Sequence, residues 1–407
     1  MSRNRRVARG PARTVVNARG PADLVAAVPY LMGFVPSASI VVVSLRGPRL
    51  RLGVVARLDL PPAGREHDTA AAIAAFVRRD GPREAVVLVY DDRPWTRWWP
   101  RPHQLLVDAV GDDLGRHGVP VREAVYVGGQ RFWSYSCTMP GCCPADGWPM
   151  RDAKASEVAA TYVLQGRSPL ADRQGLVDRV APGDPATLAA VEDAIDTCVA
   201  AVGPQGQDTR AAGWRAWQRA RASDLDTLAR RYAAGERGLS ADEAGRALAG
   251  LLDHEVRDVV AVRWTRWMPS LAAPGTADEV TRPVAELADD SAPPDLDDLE
   301  LAEAVEQLLV DLAVRADGPA ALAPLTLLSM QCWACGNGAA AGVAVDRALA
   351  IDPAYRMATL VDQLLRAGLA PRWAADVRAD DEAPGRRRLV SVDEMSSRPL
   401  EPPDGSC

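Results

Sequence analysis

The chain has 407 residues, of which 48% are hydrophobic and 25% charged, and a formal net charge of −7. That composition reads as folded and globular, with a length suited to roughly two to three domains. The acidic balance argues against a general nucleic-acid binder, which needs a basic face to replace counterions. No uninterrupted apolar run approaches the ~20 residues that span a bilayer.

The N-terminus carries Arg3, Arg5, Arg6, Arg9 and Arg13 without apolar periodicity, so residues 1–13 read as a disordered basic arm. No apolar segment with a small-residue cleavage site follows it, as a secretory signal would require. The expected location is therefore cytoplasmic, where thiols stay reduced. Seven cysteines, an odd number, suit a reduced protein better than a disulfide framework.

From Pro21 the pattern is helical, with Leu24, Val28, Leu31 and Met32 on one face and Gly33 as the stop. Ser39–Leu45 is an almost continuous Ile/Val run, which predicts a strand buried on both faces. Gly47-Pro48 marks a turn, and Leu50–Leu60 follows as the second arm of a hairpin. Asp68–Arg79 reads as an amphipathic helix and Glu84–Tyr90 as a buried strand. His103–His117 reads as a helix and Val121–Val127 as a strand. A turn at Gly128-Gly129 leads into Arg131–Ser136, a strand paired with the one before it. Strands alternating with helices and hairpins predict an α/β (α+β) domain over 14–150 with a mixed sheet.

Strand signals stop after about Ala155. Ser156–Leu164, Ala186–Ala201, Ala211–Ala233, Ala241–Leu252 and Glu255–Met268 all read as helices, giving a helical region over 151–268. Ser240 with Glu243 three residues on is a capping-box pattern. Residues 269–298 are rich in Pro, Ala and acid and read as a linker. Helical pattern resumes over 299–375, and 376–407 reads as a disordered tail. Within 299–375, the spacing of Leu325, Leu328, Ser329 and Cys332, then Ala341, Val345, Ala348 and Pro353, is tetratricopeptide-like. One such unit is a helical hairpin, since a solenoid needs about three.

The densest chemistry is Arg131–Pro144, which holds Cys137, Cys142 and Cys143 beside Trp133 and Tyr135. Thiolates are zinc ligands, so these three cysteines are the candidate metal site, with a fourth ligand drawn from elsewhere, such as Asp146, Cys332 or a histidine. The alternative is a packed loop in which free thiols act as small hydrophobes. Arg93–Arg101 interleaves Arg with Trp at the end of a predicted strand, where α/β sheets often bind ligands. Its plainer reading is a surface loop covering the sheet edge. Cys332-Trp333-Ala334-Cys335 lies near a helix end, not at a helix start as redox motifs do, which favours core packing. The four histidines, His67, His103, His117 and His254, form no metal-binding pair by spacing.

Leu24–Phe34, Ser39–Leu45, Arg57-Leu58-Asp59-Leu60, Trp133-Ser134-Tyr135 with Cys137, Cys142-Cys143-Pro144, and Ala339–Leu369 together resemble an actinobacterial domain of unknown function, family 4192 (DUF4192). The resemblance covers most of 14–373. It implies a lineage, with no activity, ligand or catalytic residue attached. The expected function is a cytoplasmic interaction or regulatory protein with a protein partner. The alternative is an enzyme or metal-dependent ligand-binding protein whose site lies where the strand end near Asp91 meets the Cys137–Cys143 loop.

Overall fold

The structure is a computed structural model that describes residues 20–96, 101–137, 144–164, 166–201, 212–264 and 299–368. It divides into a sheet-bearing unit, described over residues 20–173 and 367–368, and a helical unit over Gln174–Arg366.

In the sheet unit the elements run α1 (Pro21–Met32), β1 (Ser39–Arg46), β2 (Arg51–Asp59), α2 (Glu66–Arg78), β3 (Glu84–Tyr90), α3 (Gln104–Gly115), β4 (Val121–Gly128), β5 (Arg131–Ser134), β6 (Trp148–Pro149), α4 (Met150–Lys154) and α5 (Glu157–Leu164). The sheet order is β2-β1-β3-β4-β5-β6. Only β3 and β4 run parallel, joined through α3; the other neighbours are antiparallel. The sheet is mixed, as the alternation of hairpins and helices predicts.

Period-two alternation sorts side chains to the two faces. Ile40, Val42, Val87, Val89, Ala124 and Tyr126 pack with Ile73 and Val77 of α2 and with Leu106, Val110 and Leu114 of α3. The opposite face carries Val41, Val43, Val86, Leu88 and Val125, all buried. On this account the Ile/Val runs have no polar alternation because water reaches neither face. Each such side chain contributes about 1.5–3 kcal/mol. Helix α1 contacts β4, and α4 and α5 pack on α1. Tyr30 and Tyr162 stack at 5.0 Å within that layer. Helices α4 and α5 thus share the core of the sheet unit, whereas periodicity alone groups them with the helices that follow.

The helical unit comprises α6 (Gln174–Arg179), α7 (Pro185–Ala200), α8 (Ala212–Ala233), α9 (Ala241–Leu252), α10 (His254–Trp264), α11 (Leu299–Val314), α12 (Pro319–Ala334), α13 (Gly338–Ile351) and α14 (Arg356–Arg366). Ser240 and Glu243 form the capping box on α9. Gly245 brings α9 close to α7: a Cβ there would overlap Ala194. Nearly every residue of α12 is buried, so its sequence is apolar all round instead of striped. Asn337 caps α13 through Ala340 N, and the Ser329 hydroxyl donates to the Ala341 carbonyl, tying α12 to α13. This is a helical pair; it does not establish a tetratricopeptide repeat. Among the described residues no helix is long and apolar enough to cross a membrane. The basic arm, the 269–298 linker and the 376–407 tail lie outside the described residues.

Candidate functional site

The carboxyl end of β3 is where the two unusual sequence segments meet. Asp91 continues the ladder beyond β3, its N–H donating to the Val127 carbonyl at 3.1 Å. Its Oδ1 accepts from the Asp92 N–H at 2.9 Å. Its Oδ2 takes the His103 Nε2–H at 2.6 Å and pairs with Arg93 Nε at 3.1 Å. The His103 side chain is 8% exposed, against 67% for Arg93. A carboxylate acceptor on Nε2 fixes that nitrogen as a donor.

His103 stands immediately before α3 with φ 55° and ψ 19°, in the left-handed region. For a residue with a Cβ this costs about 1–2 kcal/mol. The strained residue turns the chain from the Arg93 loop into α3 while its ring reaches back to Asp91. Strain of this kind persists where the surroundings over-determine it, and it gathers at ligand clamps.

Beside the dyad lies a cluster of four rings. Trp95 stacks on Trp133 with centroids 5.6 Å apart and meets Tyr135 edge-on at 5.3 Å. Tyr126 packs against Trp95 at 5.4 Å and against Trp133, its register partner across β4–β5, at 5.9 Å. The Tyr126 hydroxyl donates to the carbonyls of Arg93, at 2.5 Å, and Asp91, at 3.3 Å. The Tyr135 hydroxyl donates to the Pro102 carbonyl at 2.6 Å. Burial pushes both phenols well above their ordinary range, followed by the negative charge of Asp91 for Tyr126 and by the neighbouring Tyr126 and then Asp91 for Tyr135, so they remain protonated donors. The Arg101 guanidinium lies 5.5 Å from the Trp95 centroid and donates to the Tyr135 carbonyl. The described ends of the Arg93–Arg101 loop are thereby stapled to β4 and β5. Residues 97–100 lie outside the described residues.

The cysteine segment leaves the same strand. The Ser134 hydroxyl donates to Glu123 Oε1 at 2.8 Å and accepts the N–H groups of Ser136 and Cys137, at 3.1 and 3.2 Å. Burial raises the Glu123 carboxyl; the hydrogen bonds from Ser134 and Ala124 and the charge of Arg122 oppose the rise. On the return, Trp133 Nε1 donates to the Ala145 carbonyl at 3.4 Å and Arg131 to the Gly147 carbonyl at 2.8 Å. Gly147, at φ 74°, packs where a side chain would overlap the Trp133 ring. Both described ends of the loop therefore rest on β5. Of the three candidate ligands, Cys137 is half-buried, and Cys142 and Cys143 lie outside the described residues. Among the described residues no group of three or more His, Cys, Asp or Glu is placed to hold a metal. Cys332 sits in the core of the helical unit, its thiol pushed well up by burial, and Cys335 is exposed at the end of α12.

His103 is the residue that spacing alone passes over, because its partner is not nearby in any fixed-offset motif. The usable signal is topological. Asp91 closes a strand and His103 opens the next helix, so both flank the same end of a parallel crossover.

The family model described as "Domain of unknown function (DUF4192)" matches residues 21–372. The chain belongs to that family. No curated protein and no solved structure matches it.

Proposed function

We propose that the chain is a regulatory protein whose sheet unit binds a small planar anion at the carboxyl end of β3 and β4. One observation carries this reading: the strained His103, held on Asp91, converges there with the Trp95/Trp133/Tyr135 rings and with Arg93 and Arg101. Rings offer a stacking surface to a planar group, and guanidinium groups hold a carboxylate or similar anion. The position agrees with the general habit of α/β sheets to bind ligands beyond the carboxyl ends of their strands. The test is calorimetric titration with a panel of aromatic carboxylic acids. Saturable binding that is lost in His103→Asn and weakened about tenfold in Arg93→Ala supports the reading. No saturable binding by any member of the panel overturns it.

A second reading adds zinc on Cys137, Cys142 and Cys143. It is favoured by the anchoring of both described loop ends on β5, which limits the span that the intervening residues must close. Elemental mass spectrometry of protein purified under reducing conditions tests it. Stoichiometric zinc lost in Cys142→Ser and Cys143→Ser supports the site, and metal-free wild-type protein refutes it.

A further inference from the structure

We infer an oxyanion-binding site at the opposite end of the sheet, on the turn between β1 and β2. Arg46 and Arg51 are register partners across these antiparallel strands, directly flanking the turn. Like charges placed opposite each other on adjacent strands destabilise a hairpin. Both side chains are nonetheless largely enclosed: the Arg46 side chain is 11% exposed, and Arg51 is buried.

A buried carboxylate, Asp80, lies at this corner. Asp80 Oδ2 accepts from the Ser44 hydroxyl and from the Val54 N–H at 3.0 Å, and stands 3.5 Å from Arg46 Nε. Gly53 leaves the space in which Asp80, Ser44 and Arg46 gather, since a Cβ there would overlap all three. Glu84, across from Leu45 on β3, is committed to Arg122 at 3.0 Å. Arg46 Nη1 is buried and donates to no acceptor among the described residues. A buried guanidinium N–H without an acceptor is costly, and a bound oxyanion is the acceptor that suits its geometry.

The turn itself is shaped for such a ligand. Gly47 has φ 63°, and Leu50 has φ 47°, a left-handed conformation that a leucine adopts only under constraint. Arg49 is exposed at the tip between them. The site therefore offers a guanidinium from within (Arg46) and one from solvent (Arg49). The shared chemistry is a phosphate group, whether free or as the monoester of a metabolite.

The experiment is calorimetric titration of the full chain in chloride buffer with inorganic phosphate, methyl phosphate and acetate. Saturable binding of either phosphate, weakened about tenfold or more in Arg46→Met and several-fold in Arg49→Ala, is the expected result. Preference between the two phosphates identifies the source. Arg49→Ala changes an exposed residue and keeps the test open should Arg46→Met not fold. Absence of saturable phosphate binding by the wild type, or equal binding in wild type and Arg49→Ala, overturns the site. Arg49 and Arg46 lie at the far end of the strands from His103, so this outcome is independent of the site on β3.

Discussion

In the helical unit, three polar side chains, Arg347, Asp226 and Gln218, make their bonds to the chain itself. Arg347 donates to the carbonyls of Val180, Ala313 and Ala316, gathering the ends of α6 and α11. Asp226 accepts from Arg263 at 2.6 Å and from Trp264 Nε1 at 3.2 Å, with both ionic partners nearly sealed from water. Gln218 donates to Asp253 and Glu255 and accepts from Arg215. At the carboxyl end of β3 the pattern differs. Asp91 anchors a histidine in a costly backbone conformation, and the charged groups beside it, Asp92 and Arg93, face solvent. Buried polar networks closed within the chain specify a fold. A strained, half-open polar site costs stability and fits binding better than it fits support.

That contrast can be broken by mutation. The largest effect is expected for Asp226→Ala, which removes the carboxylate 2.6 Å from the buried Arg263. The loss should be about 3–5 kcal/mol in urea denaturation. A loss under about 1 kcal/mol would show that the helical network is not supporting the fold. Arg347→Met removes a donor shared by three carbonyls and should cost about 2 kcal/mol by the same measurement. Tyr126→Phe removes the staple on the Arg93 loop and should cost about 1 kcal/mol.

Acid provides a smaller, signed effect. The Arg231 guanidinium and the Ser240 N–H hold Glu243 at about 2, below its ordinary 4.5. The folded value lies below the unfolded one, so this contribution is complete above 4.5 and fades as pH falls toward 2. Its size should stay under about 1 kcal/mol because the pair is partly exposed. Glu243→Gln should flatten that part of the pH–stability curve, and an unchanged curve would show that the Arg231–Glu243 pair adds no stability. The smallest stability change is expected at His103. Asn tolerates the left-handed region, so His103→Asn should shift stability by no more than about 0.5 kcal/mol while abolishing ligand binding.

How far sequence reaches follows from where the signal is local. The strands β1 and β3 are legible because both of their faces are covered, which leaves runs such as Ile40–Val43 without polar breaks. Helix α9 is legible because its cap is written three residues apart. Short β6, α4 and α6 carry too few turns or alternations to be read. The extent of the sheet unit is not legible either: the periodicity of α5 says that it is a helix but not that Tyr162 stacks on Tyr30. Arg347 is hidden because its acceptors are backbone carbonyls, which every residue has. The Asp91–His103 pair requires the crossover to be folded first. The contact of Trp95, beyond the Asp91 strand end, with Trp133 and Tyr135, ahead of the cysteine segment, is tertiary and is written in no local pattern.

The central claim is that the carboxyl end of β3 is a binding site and His103 its core. It is tested most directly by nuclear magnetic resonance of protein labelled at the histidine imidazoles, of which the chain has four. Titration with an aromatic carboxylate should move the His103 resonances, identified by their absence in His103→Asn, and leave those of His67, His117 and His254 in place. Saturable binding with His103 unmoved would contradict the account.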